Sequence, residues 1–233
     1  MKKTFLIAVV TLLAGITLLA QNKKLEGNGK LVTRDVAVAN FNTLKAHGVY
    51  ELHLVQGSKE GVKIEADENL QELFTVKNDG AKLVVEMKTP KNTSLNVKNG
   101  LKVYVTFKSL KQLDISTVGE VKGSSLSFDD IVINNHSVGD VDLAFTAKKL
   151  DLKNKSVGEM TLRGSAHEAV FVNNGVGSLD AGNLVVQTLD IDNSGVGEAE
   201  VNAVKGLKVK ESFLGKVKNK GAATARKKNI VVI

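Results

Sequence analysis

Residues 131–179 read IVINNHSVGDVDLAFTAKKLDLKNKSVGEMTLRGSAHEAVFVNNGVGSL, and this stretch contains successive copies of one pattern. In each copy a short alternating strand is followed by an asparagine, a Val-Gly pair and a second strand. Over the whole chain, Val-Gly or Leu-Gly pairs recur at separations of 20, 19, 19, 20 and 18 residues. Their glycines are Gly119, Gly139, Gly158, Gly177, Gly197 and Gly215. The spacing indicates an internal repeat of about 19 residues.

A unit of this length cannot bury its apolar side alone, so successive units must stack. Apolar residues recur at fixed positions, such as Leu150 and Leu152 before one pair and Met160 after it. Stacked units form parallel sheets, and the twist of strands favours a right-handed coil. The sequence therefore predicts an all-β protein with a right-handed parallel β-helix, a solenoid, over residues 113–221. The glycines fit its corners, because a residue without a Cβ atom can adopt positive φ.

An asparagine stands three residues before the valine in four consecutive units. These residues are Asn135, Asn154, Asn173 and Asn193. Stacked amides can hydrogen-bond from one coil to the next, so the column predicts a structural ladder. A ligand site is the alternative interpretation.

Residues 21–112 lack the Val-Gly repeat but carry strand signals, and they predict a β-rich N-terminal part that continues into the coils and caps the first one. Asn78-Asp79-Gly80 indicates a hairpin turn. The stretch from Asp67 to Leu73 predicts a short helix with Asp67 as its N-cap. Residues 222–233 are expected to form a C-terminal cap or strand.

The first twenty residues have the pattern of a secretory signal peptide, with Lys2 and Lys3 before an apolar run that ends at Ala20. The protein is therefore expected to be exported to the periplasm, the outer-membrane surface or the medium. An uncleaved N-terminal anchor is the alternative. No second hydrophobic segment follows, so no transmembrane span is expected after cleavage. The chain has no cysteine, so its stability must come from packing and backbone hydrogen bonds.

Charge is unevenly distributed around the formal net value of +7. Residues 113–204 contain six basic and fourteen acidic groups, whereas residues 205–233 contain nine basic groups and one acidic group. Lysines that protect the edge of the last coil explain the basic end most simply. Attraction to anionic lipid or polysaccharide is the alternative. Phe213 is the one aromatic residue among these lysines, so nucleic acid is not an expected partner.

Positions one and three after each corner glycine point the same way on a strand and form two columns. Their carboxylates make a candidate acidic binding face, which contains Glu120, Asp140, Asp142, Glu159, Asp180, Glu198 and Glu200. An envelope or host polysaccharide, or a surface protein, is its expected partner. A calcium ion bridging Asp140, Asp142 and Glu159 is an alternative. The Asp-rich glycine loop of calcium-binding β-helix repeats is missing, so neither a metal nor another cofactor is predicted.

Catalytic residues are not predicted. Parallel β-helices can host polysaccharide lyases and hydrolases, whose carboxylates lie in a cleft walled by long loops. Here strands and corners take up almost the whole unit. The four histidines show neither metal-ligand spacing nor a nucleophile partner. A non-enzymatic binding or structural module is therefore expected, and an envelope polysaccharide-processing enzyme on a β-helix scaffold is the alternative.

Several segments together resemble a known family. They are HGVYELHLVQGSKEGVKIEADENL at residues 47–70, NDGAKLVVEM at residues 78–87, and the recurrent SVGD and SVGE turns with their flanking L-D-L strands. This pattern resembles the putative auto-transporter adhesin head domain, also called the GIN domain, of exported proteins in Gram-negative bacteria. The resemblance covers most of the chain after residue 20. It implies a right-handed β-helical fold and a cell-surface or adhesive role, and it supplies no catalytic residues.

Overall fold

The computed structural model describes residues 23–227, and this part of the chain is all-β with one short 3₁₀ helix. The predicted signal peptide lies outside the described residues. The strands before the repeats are β1 (Lys23–Glu26), β2 (Leu31–Val36), β3 (Thr43–Val49), β4 (Glu51–Gln56), β5 (Gly61–Asp67), β6 (Phe74–Asp79), β7 (Lys82–Met87), β8 (Thr93–Asn96) and β9 (Lys102–Phe107). The strands of the repeats are β10 (Gln112–Val118), β11 (Val121–Asn135), β12 (Val141–Asn154), β13 (Met160–Asn173), β14 (Leu179–Asn193), β15 (Ala199–Glu211), β16 (Val217–Asn219) and β17 (Ala225–Lys227).

Strands β10 to β16 lie in sequence order along one long sheet, and every neighbouring pair is parallel. After each corner glycine the pairing has the predicted register, because Val141 pairs with Met160 and Met160 with Leu179. The strand before the corner is also in register, since Leu152 pairs with Phe171 and Phe171 with Ile191. Equivalent residues of successive repeats therefore lie beside one another along the sheet.

The first repeat keeps the same register. Leu113, five residues before Val118, pairs with Ile133, five residues before Val138. Ile115 then stands beside Asn135, so an aliphatic side chain precedes the asparagine column. The asparagine column therefore begins in the second repeat.

The N-terminal part continues the same parallel ladder. Strand β3 pairs with β10 through Val49 and Val118, and β4 pairs with β11 through Leu52 and Val121. Strands β7 and β9 extend the ladder by one further parallel position on each side. Beyond them the pairing becomes antiparallel, with β6 on β7, β5 on β9 and β2 on β5. The antiparallel strands cover the edges of the ladder at its N-terminal end.

Two local elements of the N-terminal part were predicted with different success. The Asn78-Asp79-Gly80 turn joins the antiparallel strands β6 and β7, as expected. The predicted short helix is a 3₁₀ helix, Glu68–Leu73, and Asp67 does not cap it through its side chain. Instead, the buried Asp67 Oδ1 accepts a hydrogen bond of 2.5 Å from Asn99 Nδ2. The carboxylate therefore fixes the segment before β9 and leaves the helix uncapped.

A single core of inward-facing residues runs the length of the sheet. It includes residues of the N-terminal strands, such as Leu52 and Val103, and residues of the repeats, such as Leu150 and Phe171. Each fully buried aliphatic or phenylalanine side chain stabilises the folded state by about 1.5–3 kcal/mol relative to exposure. Since the chain has no disulfide, this core and the backbone ladder hold the fold together.

Candidate binding surface

An exposed line of valines runs along the corner of the repeats, and we call it the valine ridge. Its members are Val49, Val118, Val138, Val157, Val176 and Val196. Each pairs with the next through a parallel bridge, and each is 43 to 54 % exposed. At about 4.8 Å per strand, the ridge is roughly 24 Å long. The sequence contained a signal for this ridge. Asn135 and Ser137 are buried, so strand alternation directs the side chain of Val138 outward, and a valine recurs at this position in the repeats.

The corner glycines are required by the close approach of neighbouring corners. Gly119, Gly139, Gly158, Gly177 and Gly197 have φ between 127° and 136°. A Cβ atom on Gly158 would lie 2.6 Å from the carbonyl oxygen of Gly139. Gly215 differs from the prediction, because its φ is not positive and its Cβ atom would instead meet Asn193 O. The last repeat has the shortest spacing, and its corner is closed by a bond from Gly215 N–H to Ser212 Oγ.

The asparagine column lies buried behind the ridge and forms one chain of hydrogen bonds. Asn135 Nδ2 donates to Asn154 Oδ1 at 2.9 Å, and Asn154 donates to Asn173 at 2.9 Å. Asn173 in turn donates to Asn193 at 2.8 Å, and Asn193 Nδ2 ends the chain on Lys216 O at 2.9 Å. Buried amides are stable only when they are paired, so the column ties neighbouring corners together.

The first column of the acidic face lies directly beside the ridge. It contains Glu120, Asp140, Glu159 and Glu198, with Ser178 at the remaining position. These residues are exposed. Their backbone carbonyls accept hydrogen bonds from a neighbouring strand; for example, Glu159 O accepts one from Val141 N–H. Asp140 Oδ1 also accepts a hydrogen bond of 3.0 Å from the backbone N–H of Glu159. The column therefore presents carboxylates at a regular spacing along the ridge.

The second column is closer to neutral than the sequence suggested, because basic side chains reach its carboxylates. Asp142 accepts two hydrogen bonds from the guanidinium of Arg163. Lys218, at 3.3 Å, and Lys220 both pair with Glu200. The hydrogen bond from Lys220, opposed by partial burial and supported by Lys218, holds the pKa of Glu200 below its ordinary value. Asp180 Oδ1 instead accepts a bond of 3.0 Å from Gly182 N–H.

The N-terminal end of the acidic face is also charge-balanced. The Lys122 ammonium bonds to Glu120 and lies 3.2 Å from Glu51 Oε1. These hydrogen bonds, Glu120 first, raise the pKa of Lys122 above its ordinary value. Within residues 23–227, no three His, Cys, Asp or Glu side chains are grouped closely enough to hold a metal ion. The calcium site considered for Asp140, Asp142 and Glu159 therefore lacks the required grouping.

Connections between the long strands are short, which bears on the enzymatic alternative. Five residues join β11 to β12, and five join β12 to β13. A surface groove beside β11 is lined by Asp129 and Asp130. A hydrogen bond from Lys148 lowers the pKa of Asp129, whereas a general acid needs a raised pKa. His53 stacks on Tyr104, with ring centroids 4.5 Å apart, and lies 2.9 Å from a Glu51 oxygen. These contacts identify His53 as a packed surface residue of β4.

The match to family models decides the relationship of the chain to known proteins. Residues 40–223 match the model described as putative auto-transporter adhesin, head GIN domain. The chain belongs to this GIN domain family. The match includes the valine ridge from Val49 to Val196 and both columns of the acidic face.

Solved structures share the fold of this chain. The crystal structure of a putative adhesin from Bacteroides fragilis is 28 % identical, with a TM-score of 0.74 over 87 % of this chain and 99 % of that one. A putative adhesin from Parabacteroides distasonis is 22 % identical, with a TM-score of 0.61 over 88 % of this chain and 96 % of that one. No curated protein matches the sequence. In the described part of this GIN domain protein, no helix is long and apolar enough to cross a membrane.

Proposed function

We propose that this GIN domain protein is exported and acts as a non-catalytic binding module of the cell envelope or cell surface. The single observation that carries the proposal is the valine ridge with its adjacent carboxylate column. An apolar line and an acidic line run in parallel along one rigid sheet, the apolar line with a valine at every corner and the acidic line interrupted once, at Ser178. The name of the 28 % identical Bacteroides fragilis protein, a putative adhesin, supports the same reading.

We further propose that the repeats wind as a right-handed parallel β-helix. Parallel in-register pairing at separations of 19 and 20 residues supports coils of constant length. Right-handed crossover between parallel strands is the strongly favoured hand. Under this winding the sheet is rigid along its axis, so side chains on the corner stay in straight columns.

A regular corner of this kind suits a repetitive partner, and an envelope or host polysaccharide or a surface protein is the proposed one. Valine methyl groups can pack on the C–H faces of sugar rings, while Asp140, Glu159 and Glu198 accept hydrogen bonds from hydroxyl groups. A single such contact is weak, but several equivalent contacts on one polymer reinforce each other. Affinity should therefore depend on the number of intact corner positions.

Retention of the mature protein on purified envelope glycans and host matrix, at low and high salt, tests the proposal. Val157→Ser with Val176→Ser should lower retention about tenfold, because two central apolar contacts are lost. Val170→Ser is the matched control, because Val170 is 42 % exposed on another face and should leave retention unchanged. Asp140→Lys with Glu159→Lys should change both retention and its salt dependence.

The same experiment separates the proposal from its enzymatic alternative. Equal retention by wild type, ridge and column variants would refute the corner as the contact surface. Glycan cleavage that is abolished by Asp140→Asn would replace binding by catalysis. Circular dichroism of each variant confirms that a loss of retention does not come from a loss of fold.

A further inference from the structure

The C-terminal end of the sheet carries an exposed apolar tip. Phe213 is 89 % exposed and Leu214 is 60 % exposed, and both lie in the connection that leads into β16. Leu214 O accepts a hydrogen bond of 3.2 Å from Gly197 N–H, so the tip extends the line of the valine ridge. Strand β16 is the last in the strand order, which places the tip at the end of the ladder opposite the antiparallel strands.

Basic residues outnumber acidic residues in the sequence around this tip. The Lys216 ammonium lies 6.0 Å from the Phe213 ring centroid and 4.0 Å from Glu211 Oε1, and Lys218 and Lys220 share the single carboxylate of Glu200. Between residues 205 and 227 the sequence has eight basic residues and one acidic residue, Glu211. Even after its ion pairs are formed, this end of the molecule keeps a positive charge.

We propose that the tip docks this end of the protein on a membrane surface rich in anionic lipid. Phe213 and Leu214 enter the boundary between headgroups and acyl chains, and Lys216 with its neighbours binds the anionic headgroups. Phe213 and Leu214 form an adjacent apolar pair beside a lysine, and an apolar patch rimmed by polar residues is the kind of surface that contacts a membrane.

Two other partners fit the same observations less well. An anionic polysaccharide would use the lysines but has no layer of hydrocarbon for the phenylalanine. A second copy of this chain, docked tip to tip, would bring the two lysine clusters together, and like charges disfavour that contact. The proposal uses residues outside the valine ridge, so it stands or falls separately from the proposed glycan contact.

Vesicle flotation of the mature protein, without the predicted signal peptide, tests the proposal, with phosphatidylglycerol-phosphatidylcholine vesicles compared with phosphatidylcholine alone. We expect binding to the anionic vesicles, lowered at least about tenfold by Phe213→Ser with Leu214→Ser. Lys216→Gln should lower it by about fivefold, the contribution of one lysine at an anionic surface. Leu31→Ser is the matched control, since Leu31 is 53 % exposed in β2, and it should bind like wild type.

A spectroscopic measurement locates the contact. The chain has no tryptophan, so Phe213→Trp supplies a single fluorophore at the tip. Its emission should shift to the blue on anionic vesicles and be quenched by brominated acyl chains. Absence of vesicle binding, or equal binding by the Phe213→Ser, Leu214→Ser variant, would overturn the proposal. Binding to dextran sulfate with no effect of Phe213→Ser would assign the end to polysaccharide, and self-association lost in that variant would assign it to a second copy.

Discussion

Replacing Gly158 by alanine perturbs the corner at its closest approach. Gly158 has a φ of 129°, a value that residues with a Cβ atom rarely adopt. The added Cβ atom would lie 2.6 Å from Gly139 O and 2.9 Å from the carbonyl carbon of the same residue. Favourable separations between such atoms are about 3.5 Å or more, so the two corners must move apart.

Two contributions set the expected loss of stability. Backbone strain at a glycine-only φ costs about 1–3 kcal/mol. Separation of the corners weakens the bonds that join them, from Gly139 N–H to Val157 O, 2.9 Å, and from Val157 N–H to Ser137 O, 3.0 Å. One weakened backbone bond adds about 1 kcal/mol. We therefore expect Gly158→Ala to lower the free energy of unfolding by about 2–4 kcal/mol.

Urea unfolding measures this loss. With an m value of about 2 kcal/mol/M, the midpoint should fall by roughly 1–2 M. Gly61→Ala is the control, because a Cβ atom there has no heavy atom within 4 Å and its φ is not positive. It should change stability by less than about 0.5 kcal/mol. A loss below about 1 kcal/mol for Gly158→Ala, at unchanged m, would refute the argument that the corner needs glycine.

Two further predictions concern buried polar groups. Asn173→Ala removes a link of the asparagine chain and leaves two buried atoms, Asn154 Nδ2 and Asn193 Oδ1, without the partner that Asn173 supplies. It should therefore cost about 2–4 kcal/mol in urea unfolding, while the exposed Asn174→Ala should be nearly neutral. Burial raises the pKa of the Tyr50 hydroxyl, which donates to Val85 O at 3.0 Å. The unfolded chain then ionises first, so stability should fall as pH rises above about 10, and in a Tyr104→Phe variant phenolate absorbance should appear only with unfolding. A phenolate signal from the folded variant near pH 10, or equal losses for the two asparagine variants, would contradict these expectations.

The repeat could be predicted from sequence because parallel stacking requires each unit to have nearly the same length. Val-Gly pairs at constant spacing were therefore enough to predict the partners of Val141, Met160 and Leu179 correctly. The same reasoning failed at Gly215, where the unit is shorter and a serine side chain closes the corner. A dipeptide match identifies the position of a corner but does not determine its backbone conformation.

An additional unit at residues 43–56 could not be recognised from the Val-Gly spacing. Its corner reads Gly48-Val49-Tyr50, with the valine in register with Val118 but without a glycine after it. The apolar pattern was present, because Leu44 and Ala46 pair with Leu113 and Ile115. Strands β5 to β9 lie between the two units in the chain, so the constant spacing that revealed the other units is lost here.

The charge of the acidic face could not be predicted from its columns. Arg163 lies outside both columns, yet its long side chain reaches Asp142. Lys122 bonds to Glu51, whose strand is brought alongside only by the pairing of β4 with β11. Sequence periodicity places Cβ atoms, whereas the ion pairs depend on flexible side chains and on contacts between distant segments.

The equal spacing of the corners has a consequence for how such proteins change over evolutionary time. Val157 and Val176 are equivalent, as are Gly158 and Gly177, so loss or duplication of residues 158–176 rejoins a valine to a glycine. The asparagine chain, the ridge and the core would all meet again in register. Unequal recombination within the gene can thus shorten or lengthen the molecule by about 4.8 Å per event, and with it the reach of its surface, without a new fold having to arise.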